Sequence, residues 1–142
     1  MAEAAFASAV SQGRNDRVGA AVPATLRADA ALTTSYVATD HCKVPSARKI
    51  GILLKLTYVA ATSVEWYVEW SHDATTWYRS VNVSPSTGTN TIYANSQLYT
   101  LGGASANLCD LTEPQAGYMR VQIKKTDGAG ADKAEVIAVV VA

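Results

Sequence analysis

This sequence predicts an all-β fold: an antiparallel β-sandwich or jelly roll of about 7–8 strands, preceded by an extended N-terminal arm. Three observations predict it. Apolar and polar residues alternate with a period of two through 50–59, 64–70 and 118–125, which puts one set on each face of an extended chain. Clusters of Gly, Pro, Ser and Asn separate these segments at short intervals. The alternating positions are filled mainly by β-branched and aromatic side chains, which suit a pleated surface better than a helix.

The elements follow in chain order. Residues 1–30 read as an arm and 31–142 as the sandwich domain, because the polar run Ser11 to Arg17 follows neither the helical nor the strand period. Met1 to Ala9 is compatible with a short helix. In the next segment Ile50, Ile52, Leu54, Leu56 and Tyr58 share one face. Val64, Trp66, Val68 and Trp70 then alternate with Glu65, Tyr67, Glu69 and Ser71, apolar on one side and polar on the other. The short Ala60–Ser63 link suggests a hairpin with Leu54 opposite Trp70 and Lys55 opposite Glu69. A second hairpin joins 64–70 to 77–83. It sets Trp70 opposite Trp77, so all three tryptophans fall on the inner face, and it turns Arg79 inward opposite Val68.

Beyond Ser84 to Asn90, a turn-rich loop, Thr91–Tyr93 and Gln97–Leu101 are short strand candidates. Gly102–Asn107 and Glu113–Gly117 read as loops. Tyr118–Lys125 alternates again, with Met119, Val121 and Ile123 on one face. Asp127–Gly130 is a hairpin loop, and Lys133–Ala142 closes the chain. The run Val139-Val140-Val141 suggests cover on both faces of this last strand.

The composition narrows the function. Twelve basic residues balance twelve acidic ones, so no basic excess exists to neutralise phosphates or anionic lipid, and neither nucleic acid nor membrane is expected as a partner. Charged residues are only 17% of the chain against about 25% in an average domain. A surface poor in charge suits permanent association, so a homo-oligomer is expected. The start carries Glu3 and no cationic run, unlike a secretory signal. Cys42 and Cys109 form no metal motif and read as reduced thiols.

No catalytic constellation emerges, and no cofactor or metal is expected. His41 and Cys42 are neighbours and would point to opposite faces of a strand. Glu65 and Glu69 share a face but sit about 13 Å apart by strand rise, too far for a glycosidase pair. His72 beside Asp73 reads as a solvated turn residue. Tyr67 and Tyr78, expected to lie outward near Glu69, are the candidate contact surface, together with Arg14 and Arg17 of the arm. Tyr67, Tyr78 or a loop tyrosine such as Tyr93 or Tyr99 would serve as a stacking platform if the domain bound carbohydrate.

The segment Val64-Glu65-Trp66-Tyr67-Val68-Glu69-Trp70-Ser71-His72-Asp73-Ala74-Thr75-Thr76-Trp77-Tyr78 resembles a pattern of small structural proteins of tailed bacteriophages, V-x-W-S-x-D-G-T-T-W-Y. Their later strand, Y-x-R-V-x-I-K, resembles Tyr118-Met119-Arg120-Val121-Gln122-Ile123-Lys124. Ala74 stands where the pattern has Gly. The resemblance covers about residues 32–142 and implies a non-enzymatic virion protein made in the host cytoplasm. It points first to a capsid decoration (cement) subunit bound to the major capsid protein, with a trimer as the usual arrangement. A tail, baseplate or fibre component is the alternative within that family.

Overall fold

Residues 49–57 and 63–71 are extended, as their alternation requires, but they do not pair with each other. The computed structural model describes residues 3–4, 23–44, 49–85 and 88–141. Among the described residues there is no helix, and thirteen strands follow in chain order. They are β1 (Glu3–Ala4), β2 (Ala24–Ala31), β3 (Val37–Ala38), β4 (His41–Lys43), β5 (Lys49–Thr57), β6 (Ser63–Ser71), β7 (Tyr78–Arg79), β8 (Val81–Pro85), β9 (Asn90–Ala94), β10 (Gln97–Thr100), β11 (Ala106–Thr112), β12 (Tyr118–Lys125) and β13 (Lys133–Val141).

Two sheets form the layers of a sandwich. The larger has seven strands in the order β1-β4-β12-β6-β10, with β3 also on β12 and β7 also on β6. The smaller has four, in the order β11-β5-β13-β2. Pairing is antiparallel throughout these layers except for β1, which runs parallel to β4. A separate two-stranded ribbon joins β8 to β9. Ile50, Ile52, Leu54 and Leu56 of β5 and Leu26 of β2 share one buried cluster with Val64, Trp66 and Trp70 of β6 and Met119, Val121 and Ile123 of β12. Burial of each such side chain contributes about 1.5–3 kcal/mol, and this shared cluster holds the layers together.

Four expectations need correction. Residues 24–30 are not arm: β2 pairs with β13 and buries Leu26, so the sheet begins before the expected boundary at residue 31. Two bulge-like register shifts interrupt that pairing and break the strand's period, which hid it in the sequence. Glu3–Ala4 is strand rather than helix. The hairpin between β5 and β6 does not exist. Residues 58–62 cross from one layer to the other, so Leu54 pairs with Leu108 and Val136, and Lys55 with Asn107 and Glu135. Two apolar faces match equally well across a sandwich as along a hairpin, and alternation cannot tell these apart.

The fourth correction is a register step. β6 and β7 pair Glu69 with Arg79 and Trp70 with Tyr78, one position from the expected register, which turns every following side chain over. Trp77 therefore leaves the core and Arg79 lies on the outer face. The connecting turn explains the shift. Asp73 Oδ1 accepts the N–H groups of Thr75 and Thr76, each at 2.9 Å, and the Ser71 hydroxyl at 2.9 Å. Ala74 sits in the left-handed region at φ 60°, the conformation a glycine would favour.

The crossover is fastened at one end of the sandwich. Asp132 Oδ1 accepts the N–H groups of Val59, Ala60 and Ala61 at 2.6, 2.9 and 3.1 Å. Its other oxygen lies 3.4 Å from Lys125 Nζ, and both side chains are buried. Beside it, Asp127 accepts the Thr62 N–H at 2.7 Å and the Thr62 hydroxyl at 2.8 Å. Burial works against the Asp132 charge, but the three N–H donors and Lys125 outweigh it and hold the carboxyl at about 2. A folded pKa below the ordinary 3.8 means that the unfolded chain binds more protons in acid. The resulting stability is present above about pH 4 and is lost as pH falls towards about 2. We expect the urea midpoint to drop across that window and the slope to flatten in Asp132→Asn. An unchanged slope would show that other carboxylates carry the acid sensitivity.

Candidate interaction surfaces

β6 and β12 lie side by side at the centre of the large sheet, so their polar positions meet on its outer face. The register sets Glu69 beside Arg120, Tyr67 beside Gln122 and Glu65 beside Lys124. Glu69 Oε1 accepts from Arg120 Nε at 2.8 Å and from Gln122 Nε2 at 2.9 Å. The Arg120 guanidinium also covers the Trp77 ring at 4.4 Å, and Arg79 covers Tyr67 at 3.6 Å while donating from Nε to the Asn95 carbonyl at 3.0 Å. Tyr36 meets Tyr67 edge-on with centroids 4.8 Å apart, and Lys124 lies 4.7 Å over Tyr36.

This layer fills its own valences. Burial, followed by its hydrogen bond to Glu65, pushes the Tyr36 hydroxyl up to about 12. Burial opposes the Glu65 charge, yet hydrogen bonds from Tyr36 and Ser96 and the nearby Lys124 keep its carboxyl below the usual range. Each cation–ring contact is worth about 0.5–1 kcal/mol, and the interlocked set stiffens the face. A sugar stacking on the covered face of Tyr67 would first have to displace Arg79.

The residues expected to form the contact surface are therefore divided. Tyr67 and Glu69 belong to the self-satisfied layer and are half-buried. Tyr78 is 59% exposed but, as the neighbour of Trp70 in the register, it lies on the opposite face from Tyr67. It edges a shallow cleft with Trp70, His72, Gln115 and Ala116. Arg14 and Arg17 lie outside the described residues. Cys42 is buried in the core and Cys109 is exposed on the smaller sheet, so no disulfide joins them. His41 packs near Trp77 and Tyr118, and His72 stands exposed 3.9 Å from Asp73. Asp110 accepts the Trp66 indole N–H at 3.1 Å.

Two apolar surfaces emerge that residue-by-residue reading did not single out. In the ribbon, β8 and β9 pair Val83 with Ile92 and Val81 with Ala94, which puts all four side chains on one face. Val83 is 51% and Ile92 64% exposed, and every residue of both strands is exposed. The outer face of the smaller sheet is the second. Leu53 and Ile137 are neighbours there, beside Cys109, and the next row holds Leu111, Gly51 and Val139. Gly51 has no room for a side chain, because a Cβ would come within 2.8 Å of Val139 Cγ2. The missing side chain lets the valines of β13 close over β5 and flattens the face. The triple valine near the chain's end was the signal for this surface.

No family model matches the sequence, and no curated protein matches it.

Proposed function

We propose that this protein is a virion structural subunit, a capsid decoration (cement) protein that docks on the major capsid protein shell and stabilises it. The observation that carries the reading is the β8–β9 ribbon, which presents Val81, Val83, Ile92 and Ala94 to solvent on one face. An isolated two-stranded ribbon is marginal in water, and a fully exposed apolar face on one is the signature of a segment completed by a partner. The resemblance of residues 64–78 and 118–124 to tailed-phage structural proteins supports the virion as the setting. At Tyr67 the sealed aromatic and cationic layer weighs against a carbohydrate platform, since Arg79 covers one face of that ring.

The test is co-sedimentation with shells assembled from the major capsid protein of the same genome. Wild-type protein should pellet with the shells, and the double variant Val83→Asp/Ile92→Asp should stay in the supernatant with an unchanged circular dichroism spectrum. Binding by the double variant at wild-type affinity would remove the ribbon from the reading. Binding of wild-type protein to purified tails instead of shells would move the role to the tail.

A further inference from the structure

The outer face of the smaller sheet poses a question that the ribbon does not answer. β13 alternates apolar residues on both sides: Ala134, Val136 and Ala138 face the core, while Ile137, Val139 and Val141 face outward. The outward set continues onto β5 and β11 through Leu53, Cys109 and Leu111, with Leu53 37% and Leu111 52% exposed. Antiparallel sheets with a solvated face alternate apolar with polar; on β13 that alternation holds from Lys133 to Val136 and gives way from Ile137 on, where the outward residues are apolar too. Among the described residues nothing covers it.

We propose that this face is the self-association surface of the protein, occupied by the same face of a second copy. The charge pattern selects the arrangement. Lys55 and Glu135 are register neighbours on β5 and β13, at one end of the apolar rows. A two-fold axis lying in the interface, parallel to the strands and between β5 and β13, superposes β5 of one copy on β13 of the other. That operation sets Lys55 over the partner copy's Glu135 and Glu135 over its Lys55, and it stacks Leu53 on Ile137 twice. An isologous contact requires a patch complementary to itself, and this one satisfies the requirement in charge and in apolar content. The sheets would pack nearly aligned, as in a sandwich core. A chain with a net charge of zero carries no long-range repulsion between copies.

The size is adequate. Four strands spaced about 4.8 Å apart and nine residues rising about 3.3 Å each give a flat area of about 570 Å². Side-chain relief raises the accessible area towards the roughly 800 Å² per partner of a stable interface. The inference stands on this face alone and does not depend on the virion role. It also departs from the trimer that the phage resemblance implies.

Light scattering during size exclusion of the full chain should give twice the 15.0 kDa subunit mass. Leu53→Lys should weaken association at least ten-fold while leaving the circular dichroism spectrum unchanged. Lys55→Glu and Glu135→Lys should each fail to self-associate, because each sets two like-charge pairs across the axis. Mixed in equal amounts, these two variants should form a heterodimer, since both cross-axis pairs are then opposite in charge. Repair of an intrachain contact cannot produce that rescue. Val83→Asp/Ile92→Asp should dimerise as wild type does, which separates this contact from shell docking. A wild-type monomer at about 1 mM, a trimer, a Leu53→Lys dimer of unchanged affinity, or mixed variants that stay monomeric would each overturn the proposal.

Discussion

Replacing Asp132 with Ala should lower the unfolding free energy by about 3–5 kcal/mol, a large share of the roughly 5–15 kcal/mol that a domain of this size possesses. The carboxylate accepts three successive backbone N–H groups, at Val59, Ala60 and Ala61, and balances the charge of the buried Lys125. Truncation leaves those donors without their acceptor and takes from the buried Lys125 ammonium its paired carboxylate. Lys125→Met should cost less, because Asp132 keeps its three N–H donors and the methionine fills the same space. Urea unfolding followed by tryptophan fluorescence measures both variants, with the midpoint falling and the slope unchanged. A loss below about 1 kcal/mol for Asp132→Ala would mean that the crossover holds its path without the carboxylate.

Trp66→Ala should cost about 3–5 kcal/mol, because it empties a large volume between the layers and removes the indole N–H donated to Asp110 on the opposite sheet. Trp77→Ala, by contrast, should cost only about 1 kcal/mol, the worth of a cation–ring contact with Arg120 on a half-buried outer face. The pair of variants tests the β6–β7 register directly. In the register that the alternation suggested, the two rings would be equally buried and the two losses comparable. Comparable losses, measured by the same urea titration, would show that Trp77 contributes to the core after all.

Much of the fold was legible because alternation is a local property. The inward sets Ile50-Ile52-Leu54-Leu56, Val64-Trp66-Trp70 and Met119-Val121-Ile123 are buried as their period requires. The period failed at β2, where bulges break it, and at β11, where exposed Cys109 and Leu111 stand between residues turned towards the core. The expected contact surface fared differently. Tyr67 and Glu69 do face outward, but Arg79, Arg120 and Gln122 come from other strands and occupy them, and spacing along one strand carries no trace of those partners.

By itself, the sequence determined the secondary-structure class, the inward face of each long strand and the uncharged run from Val136 to Val141 of β13. Those follow from side-chain chemistry at a period of two, which any extended chain obeys. Only the tertiary structure decided which strands became neighbours. It put β5 and β6 in different layers, moved Trp77 outward by a single register step and left two apolar surfaces open. The physical reason is that an apolar strand face is buried equally well by a hairpin partner, by an opposing sheet or by another molecule. Here the choice among these was made by a few polar anchors, chiefly Asp132 at the crossover and Asp73 at the turn, whose partners lie in backbone groups that the sequence does not distinguish.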